Sequence, residues 1–157
     1  MIHKSKKGFT LIEILVVISI IGILATLILA RLGGVEKAGR DARRRSDLNQ
    51  YRTALENFGL KNNSLYPSLT SDGDAAKGPL CAALGTANIA TCPQDPRQDD
   101  VTYYYHYESD GTGGTTATNY FLWATMENYA TTTYLYLCSS GELDTTTTTP
   151  STNLCWP

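Results

Sequence analysis

The sequence predicts an α+β protein, in which a long N-terminal transmembrane helix continues into a small globular head with an antiparallel β-sheet. Residues 9–30 form an apolar run with one charged side chain, Glu13. Tyr-, Thr-, Phe- and Trp-rich segments after residue 100 have the composition of strands. Between them lies a helical stripe with spacings of three and four, formed by Leu48, Tyr51, Leu55 and Phe58. At 157 residues the chain has room for one small domain besides an anchor.

The apolar run is long enough to cross a bilayer, because about 20 helical residues span the hydrocarbon. An acidic residue at the centre of such a helix costs roughly 2.5–3.5 kcal/mol, so Glu13 implies a cationic partner. A plain signal anchor or a cleaved secretory signal is the alternative. Small residues near the far end, Ala25, Thr26 and Ala30, suit a signal cleavage site, but that alternative leaves Glu13 unexplained.

The segment before the apolar run is a short basic leader that ends in Gly8 against Phe9. Cleavage after Gly8 frees an α-amine at Phe9, four residues before Glu13. Groups four residues apart share one face of a helix. The amine of one copy can also neutralise the carboxylate of a staggered neighbour. We therefore predict that Glu13 fixes the register of assembly.

The junction carries a specific motif, which reads Lys6-Lys7-Gly8-Phe9-Thr10-Leu11-Ile12-Glu13. It resembles the processing site of the type IV pilin and type II secretion pseudopilin superfamily. The resemblance implies that a prepilin peptidase cuts after Gly8 and methylates Phe9, and that Glu13 is the assembly carboxylate. It is close over residues 1–60 and loose beyond. Family members often carry Pro where this chain has Ala30, so any melting of the helix during assembly would depend on Gly22 instead.

The resemblance also implies partners and a location. The expected partners are further copies of the chain, the prepilin peptidase, the membrane, and an inner-membrane assembly platform with its ATPase. The expected location is the inner membrane, crossed once with an extracytoplasmic head, and then an extracellular or periplasmic filament. A type IV pilus-like filament is the first interpretation and a secretion pseudopilus the alternative. A monomeric membrane-anchored binding module is a further alternative, which predicts no self-assembly.

The predicted organisation has four parts: a leader at 1–8, the membrane and filament-core helix at 9–30, its amphipathic continuation at 31–60, and the head at 61–157. Two adjacent glycines, Gly33 and Gly34, predict a bend in the helix, since each costs roughly 1 kcal/mol relative to Ala. Residues 60–67 are expected to end the helix, and residues 68–97 are interpreted as a long connecting loop. The predicted strands are 101–107, 119–127 and 131–138.

The middle predicted strand alternates between two faces, and we expect one of them to pack on the helical stripe. That face consists of Tyr120, Leu122, Ala124 and Met126. The Thr-rich segment 145–149 is interpreted as an exposed spacer.

The four cysteines predict two disulfides in an oxidising compartment. The local pairing, Cys81 with Cys92 and Cys138 with Cys155, is preferred among three, because each bond closes a loop over segments with few secondary-structure signals. The C-terminal pair also resembles the disulfide-bounded loop of type IV pilins. A zinc site is disfavoured, because no Cys-x-x-Cys spacing is present.

Mixed charges near the start of the predicted head helix include Arg43, Arg44 and Arg45. DNA capture or pairing between subunits is one interpretation, and a solvated helical face is the preferred one. The chain has a net charge of −2, and no stacking aromatic residues adjoin these arginines in the sequence. No specific nucleic-acid partner is therefore predicted.

Catalysis is not expected, because the sequence has no phosphate-binding loop, no nucleophile elbow and no His-Glu-x-x-His helix. His106 lies in a predicted aromatic strand and is interpreted as a packed or surface residue. No cofactor is predicted. Six acidic residues offer oxygen ligands for Ca²⁺ without the spacing of a calcium loop. They are Asp95, Asp99, Asp100, Asp110, Glu142 and Asp144.

Overall fold

The computed structural model describes residues 8–29, 32–69, 73–75, 77–97 and 102–155. It divides into two compact units, Met1–Glu36 and Lys37–Pro157, and we call the second unit the head. The helices are α1 (Leu11–Leu29), α2 (Leu32–Lys61) and α3 (Pro79–Leu84), and a 3₁₀ turn covers Thr152–Leu154. The strands are β1 (Tyr66–Pro67), β2 (Gly73–Asp74), β3 (His106–Ser109), β4 (Thr115–Ala117), β5 (Tyr120–Met126), β6 (Thr133–Cys138) and β7 (Leu143–Thr146). The predicted α+β class is confirmed.

Helix α1 has no buried residue. Its mean hydropathy of 2.9 and its 19 residues make it long and apolar enough to cross a membrane. Within the segment, Ser19 and Thr26 donate their hydroxyl groups to the carbonyls of Leu15 and Ile23. The two hydroxyl side chains of the helix thus bond to its own backbone, which lowers the cost of placing them in a bilayer.

In the head, α2 packs on an antiparallel sheet of five strands in the order β2-β3-β5-β6-β7. A separate two-stranded ladder joins β1 to β4. The core between helix and sheet contains the predicted stripe, with Leu48, Tyr51 and Leu55 fully buried. The predicted inward face of β5, from Tyr120 to Met126 at every second residue, belongs to the same core.

The opposite face of the sheet is also covered, since every residue of β5 is buried. Phe121, Trp123, Tyr136 and Cys138 form a second cluster there, against which Cys155 packs. His106 is buried and stacks on Trp123, with 3.3 Å between the ring centroids. Of the two interpretations of His106, packed or at the surface, the structure shows the packed one.

Three sequence interpretations of the head need correction. The segment 68–97 is not only a loop, because it contains β2 and α3. The first aromatic strand runs from His106 to Ser109 and not from 101 to 107, although residue 101 lies outside the described part. Thr145 and Thr146 belong to β7, so the Thr-rich segment is in part a strand. Strands β2, β3 and β7 are short runs that gain their structure from pairing within the sheet, which local composition does not encode.

Buried tyrosines of the core direct their hydroxyl groups to oxygen acceptors. Tyr105 donates to Asp47 at 2.7 Å, Tyr107 to the Pro67 carbonyl at 2.7 Å, and Tyr51 to the Pro93 carbonyl at 2.9 Å. Tyr120 and Tyr66 both donate to Glu56. Burial, followed by the hydrogen bond and charge of Asp47, raises the pKa of Tyr105 above its ordinary value. These hydroxyls are donors throughout the physiological range.

Two disulfides close the loops that the local pairing predicts, Cys81–Cys92 and Cys138–Cys155. The first ties α3 to the segment that leads to Asp95. The second joins the end of β6 to the 3₁₀ turn.

Candidate processing and assembly site

The predicted processing junction lies just before α1. Gly8, Phe9 and Thr10 are exposed and not helical, and Phe9 is 81% exposed. Thr10 is the N-cap, because its hydroxyl oxygen accepts from the backbone N–H of Glu13 at 3.3 Å. The spacing Thr10-x-x-Glu13 is that of a capping box. A protease therefore meets an accessible peptide bond followed at once by a capped helix.

Gly8 is not required by the fold. A Cβ atom at this position would have no atom within 4 Å, and the residue does not have the positive φ that favours glycine. The same is true of Gly22 inside α1. A requirement for glycine at position 8 would thus come from recognition by another protein.

Glu13 lies in the first turn of α1 and is exposed. Among the described residues its carboxylate has no ion-pair partner, and the pairing with a cation of another copy stays a prediction. The position also suits a carboxylate, because the N-terminus of a helix is the positive end of its dipole.

Gly33 and Gly34, where a bend is predicted, lie inside α2. Residues 30 and 31 lie outside the described part, so the bend stays a prediction.

The head contains a buried charge cluster that the sequence interpretation missed. Arg44 is fully buried. Its guanidinium donates to Asp41 at 2.7 Å, to Asp95 at 2.7 and 2.9 Å, and forms an ion pair with Glu127 at 2.7 Å. Arg40 adds two further hydrogen bonds to Glu127. The cluster joins α2 to the loop at Asp95 and to the turn after β5.

The charges of this cluster stabilise one another. Burial lowers the pKa of Arg44, but hydrogen bonds and charge from Asp95, Glu127 and Asp41 outweigh burial and raise it above the ordinary value. For Glu127, burial raises the pKa, but hydrogen bonds and charge from Arg40 and Arg44 lower it to about 2. Both groups are therefore ionised at neutral pH.

The expectation of a solvated arginine face is wrong for Arg44 and holds for Arg43 and Arg45, which are exposed. Aromatic stacking is also present beside the arginines. The ring centroid of Tyr103 lies 5.0 Å from Cζ of Arg44 and 4.2 Å from Cζ of Arg97. Asp95, Glu127 and Tyr103 come from distant segments, so the local sequence around Arg44 carries no signal of them.

The candidate calcium ligands have structural partners in the described part of the chain. Both oxygens of Asp95 accept from Arg44, and Asp110 accepts from Thr118 and Asn119. No group of three or more potential ligands that could hold a metal ion occurs among the described residues. Asp99 and Asp100 lie outside them.

An exposed apolar helix with a capped, accessible N-terminal junction, followed by a small head with an antiparallel sheet, defines a class of anchored prepilin-like subunits. The comparisons agree. Residues 3–29 match the family described as the prokaryotic N-terminal methylation motif. The chain belongs to the type IV pilin and type II secretion pseudopilin family.

Three relatives illustrate the membership. The type II secretion system core protein G of Aeromonas hydrophila is 34% identical over 99 residues, which cover 59% of this chain and 68% of the relative. The same protein from Klebsiella pneumoniae is 38% identical over 104 residues, covering 62% and 73%. The type IV major fimbrial protein FimA of Dichelobacter nodosus is 31% identical over 118 residues, covering 72% and 70%. No solved structure gives a significant match.

Proposed function

We propose that this chain is a structural subunit of a type IV pilus-like helical filament, processed after Gly8 and assembled through α1. One observation carries the proposal: α1 is fully exposed and apolar, and it begins directly after the accessible Gly8–Phe9 junction. Such a helix needs either lipid or copies of itself around it. Because lipid is as apolar as Leu, packing between helices and pairing of Glu13 would drive transfer from membrane to filament.

The proposed sequence of events begins with the chain in the inner membrane and its head outside the cytoplasm. A prepilin peptidase removes the leader and methylates Phe9. An assembly platform with its ATPase then extracts the subunit. In the filament, the new amine of one copy neutralises Glu13 of the next.

A secretion pseudopilus is the second candidate, and the similarity to core protein G of the type II secretion system favours it. The Cys138–Cys155 disulfide, which resembles the C-terminal loop of type IV pilins, favours the pilus. Filaments at the cell surface would support a pilus. Loss of an exported protein upon deletion of the gene, without surface filaments, would support a pseudopilus.

The first experiment is intact-mass and N-terminal analysis of the protein from cells with and without a prepilin peptidase. We expect N-methylated Phe9 at the N-terminus in the first case and Met1 in the second. Gly8→Val should leave the leader uncut. Gly39→Val is the matched control, since a Cβ at either glycine meets no atom within 4 Å. An uncut wild-type chain, or cleavage near residue 30, would favour an ordinary signal or anchor.

A second experiment separates processing from assembly. Glu13→Ala should be cut and inserted normally but form few or no filaments, counted by electron microscopy of sheared cells. Glu13→Gln keeps the size of the side chain and removes its charge. If Glu13→Gln assembles as the wild type does, charge pairing at Glu13 is wrong.

A further inference from the structure

The exposed charges of the head are distributed unevenly along the sequence. From Lys37 to Arg45, α2 contains five basic residues and one acidic residue, whereas after Lys61 the chain contains ten acidic and two basic residues. Arg40 and Arg44 are neutralised within the buried cluster. The exposed excess of positive charge is therefore formed by Lys37, Arg43 and Arg45, which we call the basic end.

The basic end lies beside the turn between β5 and β6. Arg45 donates to the hydroxyl of Tyr129 in this turn at 3.4 Å. Arg43 is 62% exposed in its side chain and lies 3.7 Å from the buried Asp47, which leaves most of its surface available. The sequence count of ten acidic residues includes Asp72, Asp99 and Asp100, which lie outside the described residues and are assigned to neither surface.

Exposed carboxylates lie towards the other end of β5. Asp110 and Glu142 are exposed near that end, and the exposed Asp144 follows in β7, where it pairs with Tyr136 beside the middle of β5; we call these three residues the acidic end. Its position follows from two backbone hydrogen bonds at the start of β5: Ser139 donates to the Tyr120 carbonyl at 3.0 Å, and Asp110 donates to the Asn119 carbonyl at 3.3 Å. Since β5 has seven residues at about 3.3 Å each, Asp110 and Glu142 are separated from the basic end by roughly the length of the strand, and Asp144 by about half of it.

The basic end also presents a rigid aromatic side chain. Tyr129 is 46% exposed. The turn that carries it is held by Asp41, whose carboxylate accepts from the backbone N–H groups of Glu127 and Asn128 at 2.8–3.2 Å. Tyr and Arg are enriched at the centres of protein interfaces, and a turn fixed in advance loses little entropy on binding.

We propose that the basic end of one head docks on the acidic end of the head of a second copy of this chain. The two surfaces have opposite charge and lie at opposite ends of one sheet, so the contact is heterologous and leaves each copy with one unused surface. Contacts of this kind generate open helical arrays. The inference rests on the proposed filament function and adds to it a specific contact between heads.

The test uses charge reversal in the full-length chain, expressed in cells that carry its assembly system. Arg43→Glu with Arg45→Glu reverses the basic end, and Glu142→Lys with Asp144→Lys reverses the acidic end. Each pair should reduce sheared filament about tenfold or more, because like charges facing each other across an interface cost several kcal/mol. All four changes together should restore filaments. Lys77→Glu, the same charge change at an exposed site on neither surface, should have no effect.

Several results would overturn the contact. Normal filament assembly by both charge-reversed double variants would do so. So would failure of the fourfold variant to form filaments while its head melts at the wild-type temperature. If only the basic-end reversal impairs assembly, the basic end binds something other than the acidic end, such as anionic lipid, and the proposal is wrong. The neutral pair Arg43→Gln and Arg45→Gln repeats the test should the reversed pair misfold. An uncut or unassembled wild-type chain would contradict the proposed function itself.

Discussion

In α1 no side chain is buried, whereas in the head even the guanidinium of Arg44 is excluded from solvent. The helix is apolar and lacks a covering within its own unit, so its surroundings must supply one. The head buries charged and hydroxyl groups and provides partners for them internally. Helix α1 therefore depends on surrounding molecules to cover its apolar side chains, whereas the head covers its buried side chains by its own fold.

The largest expected effect tests whether the buried charges of the head depend on one another as ion-pair partners. Arg44→Met removes the buried cation and leaves Asp41, Asp95 and Glu127 facing one another. Loss of one partner from a buried ion pair costs roughly 3–5 kcal/mol. The free energy of unfolding, measured with urea on the full chain in detergent by near-UV circular dichroism, should fall by that amount. Arg43→Met, at an exposed site, should cost about 0–1 kcal/mol. Equal losses in both variants would contradict the internal role of Arg44.

A second prediction compares one substitution in both regions. Leu48→Ala creates a cavity in the core between α2 and the sheet and should lower the free energy of unfolding of the head by about 2–5 kcal/mol. Leu24→Ala, in α1 where Leu24 is 54% exposed, should change it by less than about 0.5 kcal/mol. The same urea titration measures both. A large effect of Leu24→Ala on the head would show that the two regions are not independent in stability.

A smaller and graded effect is expected from pH. The pKa of Glu127 is about 2 in the folded head, below its ordinary value of 4.5. A lowered pKa means that ionised Glu127 stabilises the fold above about pH 4.5, and that this contribution is lost as the pH falls from 4.5 towards 2. Unfolding measured at a series of pH values should show this loss. Glu127→Gln should be less stable at neutral pH and show a shallower decline, and an unchanged slope would exclude Glu127 as a source.

The sequence predicted those features whose signal is local. Helix α1 follows from an apolar run, the core face of α2 from residues spaced three and four apart, and the inward face of β5 from alternation. Burial of Arg44 did not follow, because Asp95 lies 51 residues away and Glu127 farther still. In the sequence, Arg44 stands between two arginines that are exposed, and only the fold distinguishes it from them. Strand β7 was missed for a related reason, since four residues rich in Thr become a strand only beside β6.

The candidate site shows the same difference between features that have a local sequence signal and features that require the fold. Gly8, Phe9 and Glu13 were predicted from one motif within six residues. The structure adds the Thr10 cap and the absence of any contact that would require glycine at position 8. The charged surfaces of the head combine residues from α2, β7 and the turns between strands, so their grouping requires the fold.

The tyrosine hydroxyls of the head core have a consequence for how accurately it must fold. A core of Leu and Phe tolerates a shifted arrangement at the cost of imperfect contacts alone. Here a shift of β3 or β5 by one residue would also separate Tyr105 from Asp47 and Tyr120 from Glu56. The buried hydroxyl and carboxylate groups would then lack hydrogen-bond partners. Incorrect arrangements therefore lose both packing contacts and hydrogen bonds, which favours a single packed state. A single state suits a subunit whose identical copies would have to fit one lattice.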